Sequence, residues 1–397
     1  MTNAAALDRA IEDASPSMIR LAEELIAIPT ENPPGKAYAE CVELLHQRLT
    51  GLGLEVDLVD LGQAKTAVVG GFGTGLTLHF HGHYDVVPAS SANQFDPVVH
   101  DGRLVGRGSA DMKGAVASMA FAVAALSAFE IPGRVELVVV PDEETGGSAG
   151  AQRLLEFGRL GRNGVAAILG EPTSGAIWNA HRGAITLRIK VTGQPAHVGL
   201  HYQGLNAFEC AIPIINRLWE LKREVEQRRT SFRTERAEES SSILMMGGEV
   251  AGGHQFNVVP ASFSFTVERR FNPEENLEEE RDRLRRTIRD ATPPLANVEV
   301  VTIQGGNASG VSEDADLVKC LRRAVEEVDG KTTSCALCPG LLESRFYEEA
   351  GVPAVAYGPG ELEVSHGPNE SVEIGRLIAC SKIYARFALR LLSAYRS

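Results

Sequence analysis

The stretch HFHGHYDVVP (79–88) sets His79, His81, His83 and Asp85 on alternate positions. On an extended strand alternate side chains share a face, so these four project the same way. Four more short clusters carry acids or a histidine among glycines and prolines: GRGSADMKG (106–114), PDEETGG (141–147), GEPT (170–173) and SHGPNE (365–370). Imidazoles and carboxylates are the donors a divalent metal site needs, provided several meet at one point. A glycine-flanked acid is ordinarily a turn residue. The run VELVVV ahead of Glu143 and Glu144, however, is too apolar for a surface segment. Acids leaving a buried strand need a partner or a metal.

These clusters must be held by the elements between them. YAECVELLHQRLTGLG reads as a helix ended by Gly51 and Gly53, and LTLHFHGHYDVV as a strand. DMKGAVASMAFAVAALSAFE is a buried helix rich in small residues. RVELVVVP and GVAAILGEP are short apolar runs, as in strands covered on both faces. This rhythm predicts an α/β catalytic domain, a mainly parallel sheet with helices on both faces. In such sheets ligands gather at the carboxyl ends of the strands. After residue 181 the pattern changes. AITLRIKVTG alternates, and NAFECAIPIINRLWEL carries Phe208, Ile212, Ile215 and Trp219 at helical spacing with a kink expected at Pro213. SSILMMGG and FSFTVERRF are strands, PEENLEEERDRLRRTIRDA is a helix with Leu277, Leu284 and Ile288 inward, and NVEVVTIQGG closes the set. The order β-α-β-β-α-β predicts an inserted α+β domain. The expected boundaries are 1–181, 182–306 and 307–397. The last part holds the helix DADLVKCLRRAVEEV, the apolar run PAVAYG and a closing helix over IGRLIACSKIYARFALRLLSAY.

Composition narrows the function classes. A chain of 397 residues is long for one core. Its 44% hydrophobic and 23% charged residues are those of an ordinary globular protein. A net charge of −13 offers no footprint for nucleic acid. The most basic stretch, KREVEQRRTSFRTER (222–236), has acids interleaved and reads as a solvated helix end and loop. The start of the chain has no apolar signal core, and AVASMAFAVAALSAF (115–129) is too short to span a bilayer. A cytoplasmic protein without a membrane partner is expected. The six cysteines are scattered, and the one close pair, Cys335 and Cys338, lacks the second ligand pair of a structural zinc site. Reduced thiols are expected.

Taken in order, the clusters resemble the motifs of a known family, the co-catalytic zinc amidohydrolases and peptidases. That family includes acetylornithine deacetylases, succinyl-diaminopimelate desuccinylases, aminoacylases and glutamate carboxypeptidases. GHYDVVP resembles its G-H-x-D-x-V-P, GRGSADMKG its G-R-G-x-x-D-M-K-G, and DEETGG its acid-Glu-Glu-x-x-G. GEPT resembles its G-E-P and SHGPNE its H-x-x-N-E. The resemblance covers nearly the whole chain. It implies that His83, Asp111 and Glu171 hold one zinc ion and Asp111, Glu144 and His366 the other, with Asp111 bridging. It further implies that the insert is a ferredoxin-like lid that also forms a homodimer.

Two zinc ions carry four positive charges, which Asp111, Glu144, Glu171 and a bridging hydroxide offset. Cobalt or manganese suits the same donors. Glu143, beside Glu144 on a turning backbone, is the expected general base. Asp85 shares a face with His83 and is expected to orient and polarise a ligand. His79 and His81 could form an H-x-H metal pair, as in barrel amidohydrolases. That class wants later histidines and a bridging lysine, so these two are expected to be hydrogen-bonded core residues. GQPAHVG (193–199) resembles the family's lid motif G-x-x-A-H-S, with Val198 at the serine position. It implies that His197 stabilises the oxyanion from another subunit. FNVVPASFSFTVERR resembles N-V-I-P followed by D-x-R, which implies substrate contacts for Asn257 and Arg270, with Glu268 in place of the aspartate. PGLLESR (339–345) keeps Gly340 and Arg345 of the family's G-T-S-D-x-R as substrate contacts. It puts Leu341 and Leu342 where hydroxyl residues usually stand, which disfavours a succinyl group. The expected reaction is deacylation of an N-acyl amino acid, as in acetylornithine deacetylase. A dipeptidase or glutamate-type carboxypeptidase acting on short peptides is the alternative.

Overall fold

The computed structural model describes residues 3–234 and 236–395. It divides into two compact units. One runs to Asn179 and resumes over Val311–Cys335 and from Glu343 onward; the other comprises Ala180–Gly310 and Ala336–Leu342.

The first unit opens with α1 (Asn3–Ala27) and α2 (Tyr38–Gly51). There follow β1 (Glu55–Gly62), β2 (Lys65–Gly73), β3 (Thr77–His83), β4 (Val98–His100), β5 (Arg103–Val105), α3 (Lys113–Leu126), β6 (Arg134–Val140), α4 (Ala151–Glu156), β7 (Gly164–Leu169) and β8 (Ile177–His181). The second unit holds β9 (Gly183–Thr192), α5 (Ala207–Val225), β10 (Ile243–Gly252), β11 (Ser262–Phe271), α6 (Leu277–Asp290), β12 (Asn297–Gly306) and β13 (Ser309–Gly310). The remainder adds α7 (Asp316–Asp329), β14 (Cys335–Cys338), α8 (Ser344–Glu349), β15 (Ala354–Ala356), β16 (Ser371–Glu373) and α9 (Ile374–Ala394).

The centre of the first unit's sheet is parallel: β3 lies between β6 and β7, and β15 follows β7. Antiparallel strands extend it, β2 and β1 beyond β6 and the start of β8 beyond β15. Alternation along β3 separates two layers. Leu78 and Phe80 join the apolar core built by α1, α2, α3 and α9. His79 and His81 face the other way, onto Tyr347 of α8, with ring centroids 5.6 and 5.3 Å away. The small residues of α3 let it sit in the middle of its layer, buried from Lys113 to Val123.

The second unit has the expected β-α-β-β-α-β order, folded as an antiparallel sheet β10-β11-β9-β12. Asn206 and Asn276 start its helices: each side-chain oxygen accepts the N–H groups two and three residues ahead. Leu277, Leu284 and Ile288 of α6 face inward as expected. Two features of α5 differ from expectation. It runs as one helix through Pro213, and its buried face is Ala207, Cys210, Ala211, Ile214, Leu218, Leu221 and Val225. Phe208, Ile212 and Trp219 are 46%, 40% and 53% exposed. Helical spacing marks an apolar stripe but not which of two stripes meets the sheet. Here the stripe from Ala207 to Val225 does. Among the described residues no helix is long and apolar enough to cross a membrane.

Candidate metal centre

The parallel neighbours β6, β3 and β7 end side by side, and each delivers a cluster at its carboxyl end. His83 is the last residue of β3, Glu143 and Glu144 lie in the turn just after β6, and Glu171 follows β7. Asp111 precedes α3. His366 precedes β16, whose pairing with β5 (Ser371 opposite Val105) brings 366–370 beside 107–111.

His83, Asp111, Glu144 and His366 meet directly, and Glu171 stands near enough to feel the charges of Asp111 and His83. His83 Nε2 lies 3.3 Å from Asp111 Oδ1, and His366 Nε2 lies 3.2 Å from Asp111 Oδ2 and 3.3 Å from Glu144 Oε2. Donor atoms of His83, Asp111 and Glu144 all fall within 4.8 Å of one another. Two donors on one tetrahedral ion with bonds near 2.0 Å stand about 3.3 Å apart. The spacing therefore suits shared cations. Each oxygen of Asp111 faces a different histidine, so one carboxylate can serve two ions.

The electrostatics give the same answer. Burial and the charge of Asp111 push Glu171 up to about 8. Burial, then Glu171, raises Glu143 well above the usual carboxylate range. Glu144 is raised by burial, against the opposing hydrogen bond from His366. Asp111 is depressed: burial works against this, but contacts with His366 and His83 outweigh it. Hydrogen bonds to Asp111 and Glu144 carry His366 to about 10. Burial would lower His83, yet Asp111 and Asp85 hold it well above the ordinary imidazole value. So many acids packed together cannot all ionise without positive charge among them. Two divalent cations would meet the same demand. The donor set fits them.

A surrounding set of hydrogen bonds fixes these candidate donors. Asp85 is fully buried and accepts the N–H groups of Glu143 and Glu144, both at 3.2 Å, and Asn32 Nδ2 at 2.9 Å. Its backbone carbonyl takes His83 Nδ1 at 2.9 Å, which leaves Nε2 for a metal. The turn itself departs from Asp142 at φ 79°, a left-handed conformation that costs a non-glycine residue about 1 kcal/mol or more. Asp142 is pinned there by Lys65, by the N–H of Ala149 and by the hydroxyl of Thr145. On the opposite side, Glu370 Oε1 accepts three N–H groups, those of Gly108, Ala110 and Asp111, each at 3.0 Å. Its other oxygen pairs with the buried Arg107, which also donates to the His366 carbonyl at 3.1 Å. One carboxylate thus ties the loop of Asp111 to the loop of His366. Sequence reasoning assigned no role to Glu370, Arg107 or Asn32. The first two sit inside GRGSADMKG and SHGPNE, and a charge pair split between two ligand-bearing clusters was the available signal.

Other expected site residues fall as follows. His81 is a hydrogen-bonded core residue, contacting Glu343 at 2.6 Å and the Tyr347 hydroxyl at 3.0 Å. His79 departs from expectation: its ring nitrogens have no hydrogen-bond partner, and Glu136 stands 3.6 Å away, beyond hydrogen-bond reach. Arg345 is buried, stacks on Phe346 and donates to the Gly146 carbonyl at 2.7 Å, so it braces the turn of Glu143. His197, Asn257, Arg270 and Gly340 belong to the second unit. His197 is exposed, and its Nδ1 accepts the Gly199 N–H at 3.1 Å, which puts the ring hydrogen on Nε2. The Asn257 carbonyl accepts the Val198 N–H at 2.9 Å. Arg270 pairs with Glu268, and the Gly340 N–H points to Cys338 Sγ at 3.3 Å.

Residues 79–390 match the family described as Peptidase family M20/M25/M40. The chain belongs to that family. Family M20/M25/M40 enzymes are metal-dependent amidohydrolases and peptidases, and this chain is one of them. A succinyl-diaminopimelate desuccinylase from Polynucleobacter necessarius is 28% identical, over 94% of this chain and 99% of its own. Another, from Thioalkalivibrio sulfidiphilus, is 29% identical over 94% and 98%. Among solved structures, an M20 family metallo-carboxypeptidase from Sulfolobus solfataricus superposes with a TM-score of 0.79 at 17% identity, covering 95% of this chain and 99% of its own. That likeness shows the shared family fold.

The role of Glu370 gives a direct test. Glu370→Gln should weaken metal retention about 10–100-fold, as loss of an orienting contact does elsewhere, with the fold intact. Competition with a chromophoric chelator measures it. Unchanged affinity would contradict the holding role.

Proposed function

We propose that this enzyme is an N-acyl amino acid deacylase. In this reading His83, Asp111 and Glu171 hold one zinc ion, and Asp111, Glu144 and His366 hold the second. The observation that carries the proposal is the Asp111 carboxylate set between His83 and His366, with Glu144 on the second histidine and Glu143 adjacent. Two histidines among carboxylates are donors suited to zinc, and cobalt or manganese could take the same places. Ions held there supply Lewis acidity toward the scissile carbonyl and lower the pKa of water to about 7.

The chain's own residues do the rest. Glu143 accepts the proton of the attacking water on a carboxylate oxygen and returns it to the leaving amine nitrogen. Attack forms the carbon–oxygen bond and moves the carbonyl π pair onto oxygen; when this tetrahedral intermediate collapses, the carbon–nitrogen bond breaks and the amine nitrogen takes the proton from Glu143. Asp85 keeps Glu143 and Glu144 in register through their backbone N–H groups. His197 of a second copy donates its Nε2–H to the carbonyl oxygen as that atom gains charge. Arg270 grips the substrate carboxylate, and Asn257 and Gly340 are further substrate contacts. Arg345 acts on the reaction through the Gly146 turn.

Deacylation is favoured by likeness, along nearly the entire chain, to proteins described as desuccinylases. Leu341 and the buried Leu342 favour an acyl group smaller or more apolar than succinyl. We further propose that residues 182–306 form the lid and dimerise with a second copy. The exposed stripe Phe208, Ile212 and Trp219 on α5 supports that partner, because an apolar helix face of this kind is seldom left in water. Six free cysteines accord with a cytoplasmic setting.

A panel of N-acetyl, N-succinyl and free dipeptide substrates, assayed with added zinc or cobalt, tests the assignment. Turnover of N-acetyl amino acids is expected, with kcat lowered about 100-fold or more by Glu143→Gln. Cleavage of dipeptides alone would assign the same centre to a dipeptidase or glutamate-type carboxypeptidase. For the assembly, Trp219→Lys should convert a dimer to a monomer in analytical ultracentrifugation. A wild-type monomer would contradict the proposed interface.

A further inference from the structure

One buried ionisable group has no part in the chemistry above. Glu343, just ahead of α8, is 0% exposed. Burying a carboxylate is costly unless it is paired and fully hydrogen-bonded. Glu343 is only half satisfied: Oε2 lies 2.6 Å from His81 Nε2, and Oε1 has no hydrogen-bond partner. His81 is fixed from its other side by the Tyr347 hydroxyl, 3.0 Å from Nδ1. With that hydroxyl donating to Nδ1, the ring hydrogen sits on Nε2 and is donated to Glu343.

The bare oxygen faces Gly147, where a Cβ would come within 2.3 Å of it. Gly147 has φ +68° and follows the turn of Glu143 and Glu144. Two residues beyond Glu343, Arg345 donates to the carbonyl of Gly146. The start of α8 therefore grips consecutive residues at the exit of that turn. The same carboxylate binds His81, which shares the face of His83 two residues before the end of β3. A simple core filler would not leave a carboxylate oxygen bare at this point.

We propose that Glu343 is a positioning residue for Glu143: bound to His81 and packed on Gly147, it fixes the turn of the proton carrier against the strand that ends in His83. The inference rests on Glu143 as the proton carrier, so the test must separate the two.

The test is a double-mutant cycle with Glu343→Ala and Glu143→Gln, read as kcat, KM and bound metal on the fully loaded enzyme. Glu343→Ala removes both the acceptor of His81 and the packing on Gly147. It should lower kcat about 10–100-fold, the usual consequence of misplacing a reacting group by an ångström. KM should stay within about twofold, and metal content should not change. In the Glu143→Gln background the further loss should be less than about twofold, because the group it positions is gone. An undiminished kcat, the same fold-loss in both backgrounds, or a loss that tracks departing metal would overturn the inference. Full activity of Glu143→Gln would instead overturn the base assignment. Should Glu343→Ala fail to fold, Tyr347→Phe frees the far side of His81, and its loss of kcat should likewise vanish in the Glu143→Gln background. A Tyr347→Phe enzyme with unaltered kcat would then count against the inference.

Discussion

The structure is organised around a repulsion. Asp111, Glu143, Glu144 and Glu171 are gathered into one cleft, largely removed from water, where their negative charges cannot coexist unaided. Only positive charge at their centre makes the arrangement tolerable, and the paired histidines show where it belongs. Asp111 is the pivot, because its two oxygens address His83 and His366 separately. The parallel sheet exists, for this purpose, to end three neighbouring strands at one place.

Around that pivot the chain spends further buried polar groups on geometry. Asp85, Glu370 and Glu343 are all buried acids, and each is engaged with loop backbone or a core histidine. Asp85 holds the turn of Glu143 and Glu144 from one side. Arg345, through Gly146, holds it from another. Glu370 and Arg107 join two loops that are far apart in sequence but each carry a ligand. Rigid placement matters here because bond distances to a cation tolerate only a few tenths of an ångström of error.

Much of this was legible in the sequence, and the reason is local. The candidate donors His83, Asp111, Glu144, Glu171 and His366 each sit in a short segment whose glycines, prolines and flanking apolar run are contiguous, so the clusters can be picked out within ten residues each. The second unit was legible for a related reason: its strands alternate, and its two long helices have strong caps. What stayed hidden depends on tertiary choice. Glu370 became an acceptor for three N–H groups only because β16 pairs with β5. The hold of Arg345 on the Gly146 carbonyl was hidden because an arginine's target cannot be read from its neighbours. The α5 helix has apolar residues on two sides, and spacing does not say which side carries the sheet. Likewise, the alternation that put His79 inside could not supply it with a hydrogen-bond partner.

The central claim, that one carboxylate straddles two cations, is open to direct observation. Anomalous diffraction from crystals of the zinc-loaded enzyme should show two peaks beside Asp111. One should lie between Oδ1 and His83 and the other between Oδ2 and His366, each about 2.0–2.2 Å from its Asp111 oxygen. A single ion held by one oxygen of Asp111, or ions bound elsewhere, would contradict the account.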